Sequence, residues 1–358
     1  MRTHITIALL LASALPAAAQ NQPQNPLDGG QALNSILQQA AQAIAGQKLP
    51  PGYRFIGGDM IMPDSFNPYV DGFYRTNLWT NGTVPYAFVA STFSAAEQTN
   101  IIAAMQVWQN LANVHFVPHT NEANFVVIDW NGGNSSMVGM QGGSQLLYYA
   151  HNQVQSVYEH ELGHCLGFVH EHQRYDRASF ILINPCRVQG VTCDQFGSVT
   201  GTTSTYDNNF PPVNNGTAWA AYDFRSIMHY DRCAFSSGCP AGSSCNCTVA
   251  QETMQVQPPY ATTFQSVIGN AAAPSYLDGI TMRGLYAFAG DRWIDTTYGG
   301  AQAATFQQPY NGNVLTYYLF VPSGGTLFFK APGHYSGVGV YNQPVTMDAP
   351  GGPVVIGS

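Results

Sequence analysis

The run His160-Glu161-Leu162-Gly163-His164-Cys165-Leu166-Gly167-Phe168-Val169-His170 concentrates three imidazoles and one carboxylate. On a helix, His160 and His164 leave the same face, because residues four apart lie one turn above another. Two nitrogens so placed suit a zinc ion. A third has to come from beyond the helix, since the axis carries later residues away from the metal. Gly167 offers the exit, because glycine takes the positive φ that ends a helix and turns the chain. His170 then swings back. Three His ligands leave an open coordination position for water, as a catalytic zinc requires. Glu161 stands beside the ligands, free to act as a base rather than as a ligand.

A bare H-E-x-x-H also arises by chance; the third His, with glycine at the turn, marks the extended motif of zinc peptidases. After it the chain reads Glu171-His172-Gln173-Arg174-Tyr175-Asp176-Arg177. Downstream lies Tyr222-Asp223-Phe224-Arg225-Ser226-Ile227-Met228-His229-Tyr230. Together these segments resemble the astacin family of metzincin peptidases. That family continues its zinc motif with H-E-x-x-R-x-D-R and carries a Met-turn reading S-x-M-H-Y. The resemblance spans about Leu78 to Tyr286. Looser matches are Leu78-Trp79 … Gly82-Thr83-Val84-Pro85-Tyr86 and Gly139 … Gly142-Gly143.

The resemblance implies roles. His160, His164 and His170 are the expected ligands of one catalytic zinc, and Glu161 the general base toward the zinc-activated water. Met228 is the expected floor under the metal. Tyr230 matches the tyrosine that ligates zinc at rest and swings to the oxyanion in the transition state. Glu171 matches the carboxylate linked to the new amino terminus after activation. Arg174, Asp176 and Arg177 read as a structural ion-pair cluster. Phe55-Ile56-Gly57-Gly58-Asp59 resembles the family's F-x-G-D latency motif with one extra residue, which makes Asp59 the candidate latency switch; a plain Gly-Gly-Asp turn is the other reading. The implied activity is endopeptidase action on extended peptide or protein substrates, in an enzyme made as a zymogen and released by an activating protease. Val138 to Gln145 is the candidate substrate-pairing strand. Family members often favour acidic residues just after the scissile bond, for which Arg232 and Arg283 are candidate cations.

Composition bounds the class. The chain has 358 residues, 9% of them charged, and a net charge of −8. Lys48 and Lys330 are its lysines, and no basic patch invites nucleic acid. Met1-Arg2, an apolar run from Ile5 to Leu15 and Ala17-Ala18-Ala19 form a secretory signal peptide, with cleavage expected after Ala19. That run is too short to span a bilayer. The expected mature product is therefore secreted and extracellular. Sequons at Asn81, Asn134, Asn215 and Asn246 are candidate glycosylation sites.

Seven cysteines are present. Cys165 reads as a small buried hydrophobe on the zinc helix. Cys186 and Cys193 are close enough in sequence to close a small loop. Cys233, Cys239, Cys245 and Cys247 allow three pairings, with metal binding as the alternative that an oxidising compartment disfavours. No cysteine lies before Cys165 or after Cys247, so the bridge expected to tie the end of an astacin domain to its first half cannot form. The tail has to be held otherwise.

The expected organisation is a signal peptide at 1–19, a pro-segment at 20–70, a zinc peptidase domain at 71–290 and a β-rich C-terminal region at 291–358. The pro-segment carries an apolar helical spacing at 31–45, and its cleavage is expected between Asn67 and Thr76, where Arg75 offers a trypsin-like site. The expected fold class is α+β: a metzincin domain with a mixed twisted sheet, active-site helices and an irregular lower half. Strands are predicted at 84–89 and 125–130, and helices at 94–112 with a Ser94–Glu97 capping box, at 154–166 and at 275–286. In the C-terminal region, Leu315 to Val321 and Thr326 to Phe329 read as strands. Two other functional readings are a protein that kept the fold for binding alone and a zinc hydrolase of a non-peptide substrate.

Overall fold

The computed structural model describes residues 49–66, 78–213, 221–239 and 245–357. The signal peptide, the helix expected at 31–45, the cleavage window from Asn67 to Thr76 and the sequon at Asn215 lie outside the described residues. The described chain is α+β. Its main sheet contains β1 (Tyr53–Ile56), β2 (Met60–Pro63), β3 (Thr83–Phe88), β4 (His115–Pro118), β5 (Phe125–Asp129), β6 (Ser135–Met137) and β7 (Ser144–Tyr148). The spatial order is β1-β2-β6-β7-β5-β3-β4. Strands β7, β5, β3 and β4 run parallel, and β6 runs antiparallel to β7. In β5, Val126 and Ile128 face the core beside Leu147 of β7, as the two-residue strand period requires.

Helix α1 (Ala95–Leu111) covers this sheet face. Its start is fixed by the capping box: Glu97 N–H donates to Ser94 Oγ, and Ser94 N–H donates to Glu97 Oε2. Ile101, Ala104, Met105 and Trp108 form its buried stripe. Helix α2 (Gln155–Cys165) lies alongside, tied by Trp108 Nε1–H to Glu159 O at 2.8 Å. It has no side-chain N-cap, and every residue from Ser156 to Cys165 is buried. Its helicity therefore comes from packing rather than from propensity.

Beyond α2 the chain becomes irregular. It holds β8 (Ile181–Ile183) antiparallel to β9 (Met254–Val256), and the short helices α3 (Ser204–Asn209) and α4 (Ala261–Phe264). Phe180, Phe210, Tyr222, Phe224, Tyr230 and Phe235 supply much of its core. Three disulfides brace it: Cys186–Cys193, Cys233–Cys247 and Cys239–Cys245. Cys165 is buried and unbridged.

Helix α5 (Tyr276–Leu285) closes the domain, capped by Ser275. Where no disulfide can hold this end, Tyr286 does. Its phenol accepts from Trp79 N–H at 3.2 Å and donates to Leu166 O at 3.0 Å, while its carbonyl accepts from Asn113 N–H. Trp79 Nε1–H adds a bond to Cys165 O at 2.9 Å.

The C-terminal region pairs β10 (Asp291–Ile294), β11 (Thr326–Phe329) and β13 (Thr346–Asp348) in parallel, beside a parallel pair of β12 (Gly333–Ser336) and β14 (Val354–Gly357). Trp293, Phe306 and Phe328 pack on Ile280 of α5. One expected strand is a helix instead: α6 (Val314–Tyr318) replaces the strand read over Leu315 to Val321. Asn313 caps it by accepting from the amides of Leu315 and Thr316, and Val314 and Tyr318 are buried one turn apart.

The expected substrate strand also moves. Residues 138–143 are not a strand; the strand before them is β6, Ser135–Met137, which lies between β2 and β7. Gly139, Gly142 and Gly143 all have positive φ, and Gly139 N–H leaves the sheet to donate to His164 O. Of the sequons, Asn81 and Asn246 are exposed. Asn134 is 2% exposed and its Oδ1 accepts from Ala150 N–H, so folded protein offers no acceptor amide there.

Replacing Tyr286 with Phe should destabilise the protein by ~1–3 kcal/mol, because a buried carbonyl and amide lose their partner while packing is kept. Thermal denaturation against the parent checks this; an unchanged midpoint would mean the tail is held by packing alone.

Candidate metal centre

Helix α2 puts His160 and His164 on one face, and its C-terminus turns at Gly167, whose φ is +114°. Gly167 N–H donates to His164 O and Phe168 N–H to Gly163 O, the paired bonds of a Schellman motif. The reversed chain delivers His170 next to the other two rings. His164 Nε2 lies 3.1 Å and His170 Nε2 lies 3.3 Å from His160 Nε2. All three are buried.

Their tautomers follow from their partners. His160 Nδ1 lies 2.8 Å from Ile227 O, and His164 Nδ1 lies 2.8 Å from Phe168 O. His170 Nδ1 lies 3.1 Å from Gln173 Oε1. Carbonyl oxygens only accept, so each Nδ1 carries a proton, and Nε2 is the ring nitrogen each histidine turns inward. Asp59 adds two more acceptors. Its Oδ2 is 3.3 Å from His160 Nε2, and its Oδ1 is 3.1 Å from His170 Nε2 and 3.5 Å from His164 Nε2. Three Nε2 atoms and a carboxylate, all buried and facing one another, suit a cation. These four residues are grouped within metal-binding reach, and the His-rich donor set suits zinc.

Asp59 arrives on the three-residue tip of the β1–β2 hairpin. Gly57 and Gly58 both have positive φ, and the extra glycine is absorbed there. A Cβ on Gly57 would lie 2.8 Å from His170 Nδ1, and one on Gly58 would lie 2.7 Å from Tyr230 Oη, so both positions need glycine. The hairpin extends the sheet: β2 pairs parallel with β6, Met60 opposite Ser136 and Ile61 opposite Met137. Ser136 N–H also donates to Asp59 O.

Glu161 is 1% exposed, and its Oε2 has no hydrogen-bond partner among the described residues. Burial, and then the charge of Asp59, push its carboxyl well above the usual range. Met228 packs beneath the helix, its Sδ 2.8 Å from where a Cβ on Gly163 would sit. Tyr230 is fully buried; its phenol donates to Gly57 O and its ring stacks on His172 at 4.0 Å. His229, pushed down to about 4 by burial, stays neutral. It accepts from Tyr222 Oη through Nε2 and donates through Nδ1 to Tyr230 O.

Glu171 lies away from the metal, in a cleft shared with Asp223 and Asp278. Its Oε1 accepts from Arg174 Nη1 and from Asp223 N–H, both at 2.8 Å. Burial pushes its carboxyl up to about 7, against the pull of Arg174. Arg174 also grips Asp176, and Arg177 donates to His172 O. Neither proposed specificity cation is free: Arg232 pairs with Glu252, and Arg283 pairs with Asp291 beneath the Phe288 and Phe328 rings.

Two residues were missed in the sequence. Asp278 holds the Met-turn by accepting from Ser226 Oγ at 2.6 Å and Ile227 N–H at 2.8 Å. The Ser275-x-x-Asp278 capping box was its available signal. Gln173 carried no local signal.

Stripping the metal should lower the thermal midpoint of the full chain, since the bound ion stabilises the fold by mass action, and zinc should restore it. Identical melting with and without zinc would count against metal binding by this cluster.

A family model described as Astacin (Peptidase family M12A) matches residues 73–287. Zinc metalloproteinase nas-8 of Steinernema carpocapsae is 32% identical over 219 residues, 61% of this chain and 46% of that protein. High choriolytic enzyme 2 of Oryzias latipes is 33% identical over 186 residues, 50% of this chain and 61% of that protein. Among solved structures, high choriolytic enzyme 1 of Oryzias latipes, described as a hatching enzyme zinc-protease, is similar at 26% identity and a TM-score of 0.47, covering 59% of this chain and 92% of that one. The chain thus spans less than two thirds of the length of either sequence relative.

Proposed function

Because the chain belongs to the astacin family, we propose that it is a secreted zinc endopeptidase made as a zymogen and acting on extended protein substrates. The observation that carries this reading is the convergence of three Nε2 atoms beside a buried Glu161 whose Oε2 has no hydrogen-bond partner among the described residues, with Asp59 closing the group.

His160, His164 and His170 would hold the zinc. When bound, zinc supplies Lewis acidity toward water and the scissile carbonyl. Glu161 takes a proton from the attacking water and passes it to the leaving nitrogen. The Tyr230 phenol, once free of Gly57 O, donates to the developing oxyanion. Strand β6 offers its edge to the substrate backbone.

Latency has three supports in this reading. Asp59 fills the metal's open side, Gly57 O occupies the Tyr230 phenol, and β2 occupies the β6 edge. Departure of the hairpin also removes the Asp59 charge, the lesser of the two causes that push the Glu161 carboxyl above its usual range. Glu171 is the proposed receiver of the new amino terminus: a buried carboxyl pushed up to about 7 gains from a nearby ammonium, which favours its charged form. Secretion is supported by the amino-terminal leader and the three disulfides. No described helix is long and apolar enough to cross a membrane.

Casein hydrolysis before and after limited trypsin treatment, with zinc content in parallel, tests the proposal. Activity should appear on cleavage and fall ~10²–10⁴-fold in Glu161→Gln. Zinc-loaded, cleaved protein without activity would favour a binding role or a non-peptide substrate. Asp59→Ala should release only part of the activity of uncleaved protein, because the Tyr230 and β6 contacts survive. Complete latency in that variant would remove Asp59 from the switch.

A further inference from the structure

The three imidazoles of the metal centre are not supported alike. His160 and His164 rest on main-chain carbonyls, those of Ile227 and Phe168. His170 rests on a side chain, Gln173 Oε1, at 3.1 Å. The orientation of that amide is fixed by its other end, where Gln173 Nε2 donates to Pro211 O at 3.3 Å. Pro211 O only accepts, so the NH₂ must face it and the oxygen must face His170.

The main chain of Gln173 is pinned as well. Its N–H donates to His170 O at 3.0 Å, and its carbonyl accepts from Val213 N–H at 2.7 Å. The side chain is fully buried, and a Cβ on Gly57 would stand 2.9 Å from its Oε1. Every polar group of Gln173 is therefore engaged in one arrangement. A buried amide held this way serves a purpose beyond filling space, because an apolar side chain of similar size would fill the volume without the desolvation cost.

We propose that Gln173 is the positioning residue of the third metal ligand. It fixes the Nδ1–H tautomer of His170, aims its Nε2 lone pair at the ion, and anchors the ring to the Pro211–Val213 segment. The inference rests on the reading of His160, His164 and His170 as zinc ligands. Outer partners of ligating imidazoles typically govern metal affinity by ~10–100-fold. Here that control lies in a side chain that substitution can reach, whereas the supports of the other two rings are backbone.

The test uses the full chain, with zinc affinity measured by chelator competition and cobalt substituted for a visible spectrum. Gln173→Leu keeps size but cannot accept, and should weaken zinc binding by ~10–100-fold. Gln173→Glu keeps the acceptor and makes it anionic, so zinc should bind at least as tightly as in the parent and the cobalt bands should shift. A folded Leu variant that binds zinc as the parent does would overturn the proposal. If the Leu variant does not fold, an unshifted cobalt spectrum in the Glu variant would overturn it equally. Failure of the parent itself to bind zinc would instead strike the ligand assignment.

Discussion

Three neutral imidazoles can turn lone pairs toward one point only if each disposes of its other proton elsewhere. That requirement organises this molecule around the metal centre. The three acceptors come from three places: Phe168 just past the helix turn, Ile227 in the Met-turn, and Gln173 beyond the third histidine. The first two bring their segments onto α2, and the third ties its segment to His170. The Gly167 turn is required because it delivers both Phe168 O to His164 and His170 to the metal side. The Met-turn is required because it supports His160, and Asp278 is buried to support the Met-turn. A carboxyl that burial and its Asp223 neighbour push up to about 7 is a costly strut. It is tolerated where two main-chain amides and a hydroxyl converge on it.

The hairpin of β1 and β2 exploits the same convergence. A site made of acceptors alone attracts a cation, and a cation attracts one more carboxylate. Asp59 meets that demand from a turn whose two glycines leave room for Tyr230 and His170 on either side. Affinity for the hairpin is spread over coordination, a phenol hydrogen bond and sheet rungs, each reading a different part of the cleft. In the proposed latent form, such distribution would keep the closed state robust to loss of one contact while leaving it dependent on a continuous chain.

Legibility followed the range of the interactions. The Ser94–Glu97 box, the i, i+4 histidines and the glycine turn are local, and sequence spacing alone exposes them. Leu315 to Val321 is rich in β-branched and aromatic residues and so reads as a strand, whereas the Asn313 cap and the burial of Val314 and Tyr318 one turn apart favour the α6 helix. The strand expected from Val138 ends earlier, at Met137, because Gly139 bonds to α2, a contact distant in sequence. The pairing of Cys233 with Cys247 and Cys239 with Cys245 had to await geometry, since all four lie too close in sequence to discriminate. Arg232 and Arg283 advertised charge but are occupied by Glu252 and Asp291, which no spacing rule revealed. Tyr286 stands in for an absent bridge, its phenol joining Trp79 and Leu166 and its carbonyl Asn113.

The short length of β6 carries a consequence for colloidal behaviour. While the hairpin is in place, the sheet ends at β1, where Arg54 donates to Phe66 O and sets a cation on the rim. In the proposed activated form, without the hairpin, the exposed rung would be Ser135–Met137, ending at the left-handed Gly139. A long, flat, unpaired edge is a template for runaway association between copies, and proteins blunt such edges by shortening and bending them. In the proposed mature enzyme this edge would be long enough to pair with a substrate chain and too short to seed a growing stack.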